Sequence, residues 1–209
     1  MIFSNLLYFI TLGAPLLPLL LFVSFQNKIK NLNKFFYIFL LIIVVDLSTN
    51  ILNVVLDGSV GNITIVTNFS VFVQSILIVY LFKIINSINT KVLLTLVFSF
   101  IISFFLESLL KTKLLEPNTF SILFIHFLIV IFGWYVIYNS YRNTTDFQFQ
   151  ITSTIVLYNT IFLVKLFFQE KIKNSVELFD FVFIASCLFY IGVYFSFSLA
   201  IWLEQKNSD

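Results

Sequence analysis

One histidine, His126, and one cysteine, Cys187, stand in a chain of 209 residues. That scarcity excludes an internal disulfide and the usual Cys/His metal-ligand sets. Charge is scarce in both signs, with Asp, Glu, Lys and Arg making up 11% of the chain against roughly 25% in an ordinary soluble domain. A formal net charge of +2 is too small to imply nucleic acid as a partner. The polar connections are short, so no extramembrane segment can fold into a catalytic domain. Gly-x-Ser-x-Gly and Gly-x-Gly-Asp-like signatures of intramembrane proteases are absent.

What the chain has instead is apolar length. Hydrophobic residues make up 60% of it and its mean hydropathy is +1.03, the composition of a polytopic membrane protein. Phenylalanine alone contributes 29 residues, which suits a lipid-facing surface, although an AT-rich gene would produce the same enrichment. Apolar stretches at about residues 6–25, 36–55, 63–81, 92–110, 120–138, 151–168 and 178–203 predict an all-α, single-domain bundle of seven transmembrane helices. No basic residue precedes the first stretch and it has no small-residue cleavage site, so it reads as a retained helix rather than a signal peptide. Gly13, Pro15 and Pro18 interrupt it and predict a kink whose freed carbonyls need partners.

Positive charge orients the bundle. With the N-terminus outside, the cytoplasmic side receives seven cations, Lys28, Lys30, Lys34, Lys83, Lys91, Arg142 and Lys206. The outside receives four, Lys111, Lys113, Lys171 and Lys173, and Lys165 lies within a helix. The excess predicts N-out, C-in.

The second stretch, FYIFLLIIVVDLSTNILNVV, carries a carboxylate at its midpoint. Asp46 lies about 15 Å from either end at a rise of ~1.5 Å per residue, too deep for a short side chain to reach water along its own helix. Asn50, Asn53 and Asp57 fall on the same helical face. An intramembrane acid costs on the order of 2.5 to 3.5 kcal/mol on insertion scales, so this face is expected to meet other helices or a water-filled cavity. The turn DGSVGN joins this helix to the third, where Gln74 is as deep as Asp46 counted from the shared turn. Antiparallel neighbours joined by so short a loop usually pack together, which makes Gln74 the expected hydrogen-bond partner of Asp46.

Further polar groups lie along the other helices. Thr67 and Ser70 share a face with Gln74, and Thr95, Ser99, Ser103 and Glu107 recur every four residues, a spacing that lets helices approach closely. His126 in the fifth helix reads as a packing residue or a ligand. Asn159 and Lys165 are in the sixth, where Lys165 has the bland alternative of snorkelling to the interface. Asp180 opens the last helix, along which Tyr190, Tyr194 and Ser198 line a cavity or pack. In the N-out orientation most of these groups share the outer half of the bilayer. Asp46, Asn50, Asn53, Gln74, Glu107, His126, Asn159, Lys165 and Asp180 are the candidate ligand-binding residues of an outward-facing cleft with Asp46 and Gln74 as its floor. No catalytic residue, metal site or cofactor is expected.

Seven helices, the compact loop after the second, NFSVFVQSILIVYLF in the third and FVFIASCLFYIGVYFSFSLA in the last resemble a family of small, uncharacterised bacterial seven-helix membrane proteins. Some members of that family are encoded beside sensor histidine kinases. The resemblance implies a multi-pass protein of the cytoplasmic (inner) membrane and a sensory role, and it carries no site residues onto this chain. The functional expectation is a receptor-like module or partner subunit that takes a small polar ligand and reports to a cytoplasmic or membrane signalling protein. The alternative is a small secondary transporter with Asp46 as its protonatable site, although no internal repeat relates helices one to three to helices five to seven. An intramembrane enzyme ranks lowest. Zinc amidases need several histidines, and a rhodopsin would need a lysine between Leu178 and Leu203, where there is none.

Overall fold

A computed structural model describes residues 2–25, 34–55, 60–86, 90–110, 119–140, 145–168, 172 and 175–208. Asp57 and the loop cations Lys28, Lys30, Lys111, Lys113, Arg142, Lys171 and Lys173 lie outside the described residues. The helices are α1 (Ile2–Gly13), α2 (Leu16–Phe25), α3 (Lys34–Val55), α4 (Val60–Asn86), α5 (Thr90–Leu110), α6 (Thr119–Ser140), α7 (Asp146–Phe167) and α8 (Val176–Ser208). Among the described residues there is no strand. Six segments are long and apolar enough to cross a membrane, α1 and α2 counting as one, and α5 adds a shorter apolar helix over Leu94–Glu107. Phe9, Phe69, Phe98 and Phe195 all point outward, as they do when the surrounding solvent is lipid rather than water.

The break between α1 and α2 follows from proline chemistry. Pro15 has no N–H for the Thr11 carbonyl, and Pro18 has none for that of Ala14. The chain tightens instead. Ala14 N donates to Thr11 O at 3.2 Å, and Leu17 N donates to Ala14 O at 3.3 Å. Both orphaned carbonyls are thus satisfied within the kink.

The other helices mostly overrun their expected bounds by a few residues, and α7 begins five residues before the expected start near 151. A capping box sets that start: Gln148 N donates to Thr145 Oγ1 at 3.2 Å, and Thr145 N donates to Gln148 Oε1 at 3.3 Å. The polar run TTDFQFQ, which reads as loop, already carries this Thr-x-x-Gln signature.

The helices close a ring in the order α1/α2, α3, α4, α6, α7, α8, while α5 packs outside against α4 and α6. One half of the ring is filled by phenyl groups. Phe35, Phe36, Phe39, Phe82, Phe147 and Phe197 are all buried, from the start of α3, the end of α4, the start of α7 and the latter part of α8. Phe36 stacks on Phe147 with centroids 5.4 Å apart, and Phe39 meets Phe197 edge-on at 5.0 Å. Gly133 lets α6 approach α7 in this region, since a Cβ there would overlap Val156 Cγ2. The phenyl half ends at the level of Asp46.

Candidate functional site: a polar cluster on Asp46

Two helices, α4 and α8, direct three hydrogen-bond donors at one carboxylate on α3. Gln74 Nε2 on α4 donates to Asp46 Oδ1 at 3.0 Å. From α8, the hydroxyls of Tyr190 and Tyr194 both donate to Oδ2. Their four-residue spacing places both on one face of α8, opposite the middle of α3. Asp46 thus lies deep in the bundle and is satisfied by neutral donors, with no cation against it among the described residues. Charge-assisted hydrogen bonds of this kind are about twice as strong as neutral ones, which is how the fold offsets the desolvation of the acid.

The cluster reaches the kinked first span through Asn50. Its Nδ2 donates to the Tyr190 hydroxyl at 3.2 Å and to the Leu12 carbonyl, beside the α1–α2 break, at 3.3 Å. One turn along, Thr49 Oγ1 donates to Ser70 Oγ at 2.6 Å and ties α3 to α4 a second time. Tyr158 and Asn159 of α7 complete the wall of a small cavity at Asp46, with a volume of about 40 Å³. A water molecule occupies roughly 30 Å³ of liquid, so this space holds about one water and no organic ligand.

Beside it, His126 Nδ1 donates to Asn159 Oδ1, and Asn159 Nδ2 donates to the Ile155 carbonyl at 2.7 Å. An amide oxygen only accepts, so the proton of the neutral ring sits on Nδ1. Among the described residues, His126 Nε2 is buried without a hydrogen-bond partner, as is Asn53 Oδ1. The His126 ring lies 4.4 Å from that of Phe162.

Other expected site residues lie apart from this cluster. Glu107 accepts from the backbone N–H groups of Phe120 at 3.1 Å and Ser121 at 2.6 Å, so its carboxylate caps α6. Of the four-residue stripe on α5, only its second half crosses to α6: Ser103 Oγ meets Ser121 Oγ at 3.3 Å, whereas Thr95 and Ser99 bond back to their own helix. Asp180 is exposed on the first turns of α8. Lys165 stands on the wall of two larger cavities. One, of about 520 Å³, lies between α7 and α8 toward Phe168 and Leu178; the other, of about 230 Å³, lies between α1, α7 and α8 and includes Tyr8, Tyr158 and Tyr190.

A second polar contact joins α7 and α8 and is not singled out by the sequence reading. Gln150 Nε2 donates to the Ser196 carbonyl at 3.2 Å, and Thr154 Oγ1 lies 3.0 Å from Ser196 Oγ. The i, i+4 spacing of Gln150 and Thr154 on a membrane helix is the signal that identifies it. Among the described residues no three His, Cys, Asp or Glu side chains converge as a metal site. No protein-family model, curated protein or solved structure matches the chain.

Proposed function

We propose that the chain is a receptor-like sensory module, or the membrane subunit of a signalling complex, with seven spans in a bacterial cytoplasmic membrane, its N-terminus outside and its C-terminus inside. The observation that carries this reading is the double position of Tyr190. Its ring lines the cavity between α1, α7 and α8, and its hydroxyl holds Asp46. A ligand entering from outside and occupying that cavity presses on a group bonded to α3 and, through Asn50, to the break in the first span. The ligand shifts the packing only by preferring one arrangement of Tyr190 over another. The ends of α2, α4, α6 and α8 then report the shift to a cytoplasmic or membrane partner.

The same geometry argues against a carrier that uses Asp46 as its transported-proton site. The carboxylate lies in a space for about one water, and a phenyl-packed half of the bundle lies beneath it. A substrate path through that half would require the Phe35, Phe39 and Phe197 cluster to part.

The test is purification of the tagged protein from its own host in mild detergent after brief cross-linking, with mass spectrometry of what co-purifies. Near-stoichiometric recovery of a kinase, cyclase or other signalling protein supports the reading. Recovery of the chain alone overturns the obligatory partner. Proton-coupled flux in liposomes that disappears in Asp46→Asn would then replace it with the transporter.

A further inference from the structure

The two larger cavities are neighbours. They share Ile161, Lys165, Ser186 and Phe189, so together they form one apolar trough along the α7–α8 seam, from Leu178 near one end of the bundle to Tyr190 beside the Asp46 cluster. The larger chamber, at about 520 Å³, falls within the roughly 300–1,000 Å³ of small-molecule sites. Its wall is almost wholly hydrocarbon, which excludes a sugar, an amino acid or another small polar solute as occupant.

Among the described residues, one cation interrupts that wall. Lys165 lies where the chambers meet, and among the described residues no carboxylate forms an ion pair with it. Ser186, the polar group facing it, already donates to the Val182 carbonyl at 2.6 Å. At the inner end, the Tyr158 hydroxyl has no hydrogen-bond partner among the described residues, although its ring lines both the trough and the Asp46 cavity. An apolar chamber with a single ammonium group matches a hydrocarbon chain ending in one compact negative charge. A diacyl phospholipid brings a second chain and a bulky headgroup, whereas the larger chamber offers about 520 Å³ and one ammonium group.

We infer that the α7–α8 trough binds a single-chain carboxylate amphiphile of the fatty-acid type, its carboxylate on Lys165 and its chain against Ile161, Val182 and Phe189. This names the ligand class for the receptor-like reading and rests on that reading only for the consequence of binding. In place of a small polar ligand, the molecule sensed is an amphiphile that reaches the trough with its charge near the membrane surface. The chain bears on Tyr190 where it passes Ile161 and Phe189 into the smaller chamber.

The full chain in phosphatidylcholine nanodiscs is to be photolabelled with a diazirine-bearing palmitic acid and the labelled peptides mapped. Saturable label is expected on α7 and α8, displaced by palmitate and not by palmityl alcohol. Lys165→Met should weaken it by roughly tenfold or more, the loss of one charge-assisted contact. Lys165→Arg should retain it, Ala185→Trp should block it by filling the larger chamber, and Lys206→Met should leave it unchanged. Label spread over all lipid-facing helices, or equal competition by the alcohol, would mean bulk lipid contact and overturn the inference. Stronger competition by phosphatidylglycerol than by palmitate would overturn the single-chain assignment. The labelling needs no partner protein, so absence of a co-purifying partner leaves this result standing and counts against the receptor reading alone.

Discussion

The Tyr190 hydroxyl donates to the Asp46 carboxylate while the Tyr190 ring walls the cavity between α1, α7 and α8. One side chain thereby joins a space large enough for a ligand to the most costly group in the bundle. Removing the hydroxyl separates the two without removing the ring. Because Tyr194 still donates to the same oxygen, Tyr190→Phe should cost about 1 kcal/mol, the scale of interhelical hydrogen bonds in membranes. Thermal unfolding in detergent measures this. The signalling output should fall much further than the stability.

Charge and packing at Asp46 are separable by substitution. Asparagine can accept both tyrosine hydroxyls on its oxygen and donate to Gln74 once that amide turns over. Asp46→Asn is therefore expected to fold with a loss of about 1 kcal/mol or less. Asp46→Leu strands two hydroxyls and an amide and should lose roughly 2–3 kcal/mol. Equal loss in both variants would show that the charge, rather than the three contacts, holds the helices.

Gly133 faces Val156 and Phe82 with no room for a methyl group. Gly133→Ala should destabilise the bundle by roughly 1–3 kcal/mol, since the β-branched valine cannot turn away within a packed interface. Adding Val156→Ala should return part of that loss. A double-mutant cycle read by thermal unfolding checks the coupling.

At the first turn of α6, Glu107→Ala leaves the N–H groups of Phe120 and Ser121 without their acceptor. The expected cost is about 1 kcal/mol, that of a lost helix N-cap. Amide exchange should quicken at Phe120 and Ser121 and remain slow at Ile129, in the middle of the same helix. Uniform acceleration along α6 would show that Glu107 holds the whole helix rather than its end.

Thr145→Ala is expected to fray α7 from its start, at a cost of about 1 kcal/mol, because it removes the side-chain half of the capping box. Helical protection should be lost first at Gln148 and Phe149. The Asp46 contacts, more than two turns away, should persist.

The amino-acid sequence alone carries the apolar lengths that make membrane-crossing helices, the depth of Asp46 within α3, and its pairing with Gln74. Each is a local property, set by the rise of a helix or by a turn too short to part the helices it joins. Tertiary structure decided the rest. That α8 crosses α3, so that Tyr190 and Tyr194 reach Asp46, depends on the order of helices around the ring, and no local period encodes it. The same order turns Glu107 from a candidate ligand group into the cap of α6 and leaves Lys165 in an apolar trough instead of beside Asp46. A polar side chain within a membrane must find a partner. Its own helix determines how deep it looks, and the neighbours that the fold brings determine what it finds.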